Sequence, residues 1–186
     1  TGVCGSGGWP VPEGTPWRTR RCIESWRHKY RWCGMRMTES EKKALRREYL
    51  EEFPECQYNA ALKGNEQWPF IRRGPVCVEH IWNRKGPDSE HWSNYATVWN
   101  VPGGPHAWKE QHSIEGRIVI TAFKYDLMLE TGDERHFDLE VLKKCSGYYI
   151  PSWVEWKMQE YGDRLPEFVV EAGQSFLERF EALRSA

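Results

Sequence analysis

Residues 78–99 read VEHIWNRKGPDSEHWSNYATVW, and the way this stretch is divided decides the fold. A short apolar run opened by Val76 and Val78 ends on the acid–imidazole pair Glu79-His80. A polar stretch, 83–93, follows, with Gly86-Pro87 as its turn signal, and the apolar pattern resumes behind Asn94 as YATVW. Both apolar runs alternate with the two-residue period of strands, so the spacing predicts strand, loop, strand. VPGGP, 101–105, then breaks the chain, and HAWKEQH, 106–112, starts a short helix. A plain pair of strands needs neither the Glu-His pair nor the asparagine, so these residues are candidates for chemistry.

Working outward, Thr38 and Glu41 form a T-x-x-E capping box ahead of a helix carrying Leu45, Tyr49 and Leu50. That helix should end before Pro54. Residues 1–16 are rich in Gly and Pro and predict an irregular arm, continued by WRTRRCIESWRHKYRWCGMRM, in which aromatic and basic side chains interleave. On the other side, RIVITAFKYDLML, 117–129, and RHFDLEVL, 135–142, flank TGDE and read as a second hairpin. Ser152 with Glu155 predicts the cap of a further helix. Pro166 opens a last one, with Phe168, Val169, Ala172, Phe176, Phe180 and Leu183 as its apolar stripe. With no internal repeat and no long linker, the expectation is a basic, aromatic-rich arm over residues 1–37 followed by a single α+β domain over 38–186, with helices at its C-terminal end.

Composition limits the function classes. At 186 residues the chain can bury a real core, and no stretch approaches the ~20 apolar residues of a membrane span. The net charge of -1 hides an asymmetry: residues 17–47 hold eleven Lys/Arg against three Asp/Glu, whereas 110–186 hold nine against fifteen. Such a split suits a basic face for a polyanion, or two solvated faces of opposite sign. The six cysteines, Cys4, Cys22, Cys33, Cys56, Cys77 and Cys145, are widely spaced without a CxxC, so they do not read as a zinc knuckle. Disulfides in an oxidising compartment and free thiols both stay open, with an intracellular location preferred to a secreted one.

The residues at the junctions of 76–112, VEHIWNRKG, HWSNYATVW and HAWK, resemble the HNH endonuclease family. There an acid–His pair ends the first strand, an asparagine opens the second and a histidine begins the helix. The resemblance implies a ββα-metal motif embedded in the mixed domain and a divalent-metal-dependent nuclease that hydrolyses phosphodiester bonds, of DNA rather than RNA. It implies His80 as the base that activates water and Asn94 as the residue that ties the loop to the backbone. Glu79, on the opposite face of the strand end or in the adjoining turn, and His106 would be metal ligands. If the helix starts later, His112 or Glu110 replaces His106 and Asn100 replaces Asn94. Carboxylate and imidazole ligation suits Mg, Mn, Ni or Zn. Arg84, Lys85 and Lys109, with Arg20, Arg21 and Arg27 of the basic segment, are the candidates for phosphate contacts. His91, in the acid–His pair of SEHW, is the weaker candidate because no strand leads to it. Two readings compete: a non-catalytic, aromatic-rich binding module held by disulfides, and a metal hydrolase centred on His106 and His112.

Overall fold

Thr38 starts the first helix as its T-x-x-E pattern requires. Its Oγ1 accepts from the Glu41 amide at 3.3 Å, and the Glu41 carboxylate takes the Thr38 amide at 2.7 Å. The computed structural model describes residues 37–62, 74–82 and 89–185. All of these belong to one compact unit, Arg36–Ala186. The arm expected over residues 1–37 lies, except for Met37, outside them. Helix α1 (Glu39–Glu52) ends at Phe53, one residue before Pro54, and buries Leu45 and Tyr49. A one-turn helix, α2 (Gln57–Ala61), buries Gln57 and Tyr58.

Strands β1 (Val76–His80) and β2 (Tyr95–Trp99) pair antiparallel, Val76 opposite Trp99 and His80 opposite Tyr95. All five residues of β2 are buried, covered by α2 and by α3 (Pro105–Gln111). The VPGGP turn sets where α3 begins. Gly103 takes φ +65°, which favours glycine, and a Cβ on Gly104 would lie 2.3 Å from Val101 Cγ2. The expected polar loop is corrected in its described part: Ser89, Glu90, His91, Trp92 and Ser93 are buried, and Trp92–Asn94 form a 3-10 turn leading into β2.

The second expected hairpin is also corrected. Residues 117–129 belong to a long helix, α4 (Ser113–Thr131), and 139–142 to α5 (Leu139–Ser146). The β-branched run Ile118-Val119-Ile120-Thr121 imitates a strand because α4 is buried almost all round, and such a helix loses the one-sided pattern by which helices are recognised. TGDE is a helix terminator: Gly132 caps α4 in the left-handed region at φ +69°, and Asp133 caps the 3-10 turn Glu134–His136. Helix α6 (Ile150–Tyr161) starts two residues before Ser152, with Pro151 in its first turn, so Ser152 and Glu155 lie inside it and cap nothing.

Helix α7 (Glu167–Arg184) follows Pro166 as expected and packs along α4 and α6. Phe168, Val169 and Phe176 are buried, Ala172 and Phe180 pack against the core, and Leu183 is exposed, ending the stripe early. The fold is therefore mixed but mostly helical, compatible with α+β, with one two-stranded antiparallel sheet among the described residues. No helix among those residues is long and apolar enough to cross a membrane.

Candidate metal centre and its flanking histidine

Successive residues of a strand face opposite sides, so β1 parts Glu79 from His80. Glu79 turns toward α3. Its Oε2 lies 3.0 Å from His106 Nδ1 and 3.4 Å from Lys109 Nζ, and the residue is 1 % exposed. His106 and Glu110, four residues apart, share one face of α3, half-buried and exposed respectively. Lys109, buried, also donates to Glu110 Oε1 at 3.1 Å. Ligand atoms of Glu79, His106 and Glu110 all lie within 4.8 Å of one another, a group that could hold a metal ion once its side chains close slightly to bonding distance. Glu79 Oε1 is buried without a close hydrogen bond, and the Tyr58 hydroxyl, a donor beside the same carboxylate, is likewise unmatched. Burial, and then the nearby Glu79 carboxylate, push the pKa of the Tyr58 hydroxyl far up.

His80, the last residue of β1, is buried on the other face. Its Nε2 lies 3.4 Å from Glu90 Oε1, and its ring meets Tyr95 edge-on at 5.3 Å. Glu90 Oε2 accepts from Arg46 Nε at 3.0 Å and from the Tyr95 hydroxyl, while Oε1 accepts from Arg46 Nη2. Burial raises the pKa of the Glu90 carboxyl, but hydrogen bonds from Arg46 and Tyr95 and the charge of His80 outweigh it, leaving a net lowering.

Asn94 is fully buried and clasps the two ends of the connection between the strands. Its Oδ1 accepts from the Trp82 amide at 2.9 Å, its Nδ2 donates to Ser89 O at 3.0 Å, and its own carbonyl accepts from the Ile81 amide at 2.9 Å. Asn100, the alternative, is exposed beyond the end of β2. His112 ends α3, stacks on Trp108 and lies 3.4 Å from Glu115, outside the cluster of possible ligands. His91 is buried and caps the 3-10 turn, its Nδ1 accepting from the Ser93 amide at 3.1 Å. Arg84, Lys85, Arg20, Arg21 and Arg27 lie outside the described residues.

The residues that brace this region carry no signal of that role in the sequence. Glu90 was visible only as the acid of SEHW. Its partner Arg46 comes from α1, and neither residue type nor spacing announces a pairing across 44 positions. Lys124 on α4 is 1 % exposed; its Nζ donates to Tyr49 Oη at 2.8 Å, Trp92 O at 2.6 Å and Tyr95 O at 3.1 Å. Burial drives its pKa well below the ordinary lysine value. Arg117, also on α4, donates to Ile81 O at 3.1 Å and lies over the Trp82 ring. No protein-family model, curated protein or solved structure matches the chain.

Proposed function

We propose that this protein is a divalent-metal-dependent nuclease of the ββα-metal, HNH type, acting on DNA in preference to RNA. The observation that carries the reading is the convergence of Glu79, His106 and Glu110 at the junction of β1 and α3, where Glu79 is buried almost completely. Glu110, an alternative ligand on sequence grounds, joins His106 rather than replacing it. One imidazole with two carboxylates fits Mn, Ni or Zn better than Mg, which favours oxygen ligands. A bound divalent ion would neutralise charge on the scissile phosphate and the departing oxygen.

The chain's own groups supply the rest. His80, at the strand end, takes the proton from an attacking water, work that imidazole suits near neutral pH. Asn94 fixes the backbone on both sides of the loop, so the angle at which β1 presents His80 is set by its amide. Lys109, buried between Glu79 and Glu110, orients carboxylates and is badly placed to reach a phosphate. One observation favours the competing reading of a non-catalytic binding module: Tyr148, Tyr149 and Trp156 are exposed close together in sequence, as stacking surfaces are.

Nicking of supercoiled plasmid in Mn²⁺, with and without EDTA, separates the two. The nuclease reading expects cutting that EDTA abolishes. His80→Ala should lose roughly 10² to 10⁴ in rate while retaining metal. His106→Ala should instead weaken Mn²⁺ binding and be partly restored by excess ion. Undiminished cutting in EDTA, or full activity in His80→Ala, overturns the assignment.

A further inference from the structure

The face of β1 that carries His80 holds a second constellation, built from parts far apart in the chain. Arg46 comes from α1, Glu90 from the segment before the 3-10 turn, Tyr95 from the first position of β2 and His80 from the last position of β1. The guanidinium grips Glu90 through two nitrogens, Nε and Nη2, one to each carboxylate oxygen, and the Tyr95 hydroxyl closes on Oε2. A planar fork of this kind fixes both the position and the plane of a carboxylate. Oε1, held in that plane, is the atom that lies 3.4 Å from His80 Nε2, at ion-pair distance and just short of a formed hydrogen bond. Tyr95 acts twice, since its ring also packs edge-on against the imidazole.

An exposed pair of Arg46 and Glu90 would do little for stability, and burying the carboxylate is costly unless its charge is used. What the arrangement does accomplish is to hold an imidazole. A carboxylate beside one ring nitrogen of a histidine keeps the ring proton on that nitrogen and places the lone pair on the other.

We infer that Glu90 is a positioning residue for His80: the carboxylate, locked by Arg46 and Tyr95, sets the orientation and the tautomer of the imidazole. The inference rests on the reading of His80 as the proton acceptor. In the neutral enzyme the ring proton is on Nε2, the nitrogen nearer Glu90, and the basic lone pair is on Nδ1. When water attacks, its O–H bond breaks and that proton passes to Nδ1, while the water oxygen forms the new bond to phosphorus. Glu90 takes no proton. It stays anionic and offsets the positive charge that appears on the ring.

The test is a double-mutant cycle on plasmid nicking in Mn²⁺, read together with the ring nitrogens of His80 by long-range ¹⁵N–¹H NMR in the metal-free full chain at fixed, mildly alkaline pH. Glu90→Gln is expected to lower kcat on the order of 10- to 100-fold, as losing the partner of a functional histidine does, with KM and Mn²⁺ affinity unchanged. The double variant with His80→Ala should be no slower than His80→Ala alone, because a group acting only through His80 has nothing left to act on. In the NMR experiment His80 should be in the Nε2–H form in the unaltered protein and shift toward a mixture in Glu90→Gln. Should Glu90→Gln fail to fold, Tyr95→Phe removes one grip on the carboxylate, keeps the ring, and enters the same cycle. Additive losses in the cycle, or an unchanged tautomer in Glu90→Gln or Tyr95→Phe, overturn the inference. A protein that does not nick at all defeats the nuclease reading instead, and the ring nitrogens then still decide whether Glu90 governs His80.

Discussion

Lys109 places a positive charge where a metal ion would be held. Its Nζ lies 3.4 Å from Glu79 Oε2 and 3.1 Å from Glu110 Oε1, so a divalent ion joining those carboxylates must displace the ammonium or share them with it. Two like charges a few ångströms apart repel by several kcal/mol at an effective dielectric near 20, about 4 at 4 Å. Lys109→Met keeps the aliphatic stem that packs against Gly116 and removes the charge. Mn²⁺ should bind it roughly tenfold or more tightly by calorimetric titration. Weaker binding would mean that the amine is needed to hold the carboxylates in place. At this scale the sequence showed what it could show through residue type: Glu79, His80, Asn94, His106 and Glu110 stand out as an acid, imidazoles and an amide at strand and helix ends. Glu90, Arg46 and Lys124 did not, because their roles come from neighbours that only the tertiary fold supplies.

Among the elements, those whose signals are local were legible. The capping box of α1, the alternating β1 and β2, the start of α3 behind VPGGP and the start of α7 behind Pro166 each depend on a few adjacent residues. Helix α4 was not, since its β-branched run satisfies a strand pattern and only its neighbours on every side make it a helix. The tightest meeting of those neighbours is at Gly173, where α7 passes α4 and α6. A Cβ there would lie 2.4 Å from Met158 Sδ and 3.2 Å from Ile118 Cγ2. Gly173→Ala gains about 1 kcal/mol of helix propensity but incurs an overpacking cost of about 1–3 kcal/mol. A lower denaturant midpoint is expected, recovered when Met158→Ala is added to open the space. A midpoint that rises in the single variant would show that Met158 moves aside freely.

For the molecule as a whole, acid should be more damaging than the net charge of -1 suggests. Burial lowers the pKa of both His91 and His136 to about 4, with the charges of Lys124 and Arg135 adding to the effect. In the unfolded chain both titrate near 6.5, so between that pH and 4 the unfolded state binds protons that the folded state refuses. Their contribution is complete above about pH 6.5 and is lost as pH falls toward 4, each histidine costing up to about 1.4 kcal/mol per pH unit. Protonating His91 also forfeits the Ser93 amide bond that opens the 3-10 turn. Thermal midpoints measured from pH 7.5 to 4 should therefore fall steadily through this window, and His136→Phe should flatten the slope. An equally steep slope in that variant would place the titrating groups elsewhere.

The reach of Arg117 and Lys124 back to the strands bears on the order in which the chain is made. Both sit on α4, yet they supply donors to the carbonyls of Ile81, Trp92 and Tyr95, which flank Glu90 and Asn94. On a ribosome, every residue from Glu79 to Glu110 has left the tunnel before Lys124 follows, so the strands wait without these donors, although the Tyr95 carbonyl has an earlier one, the Tyr49 hydroxyl at 2.8 Å. The constellation is thus translated early and completed late, and the span 76–112 is no cassette that could be cut out and moved to another host protein with its geometry intact.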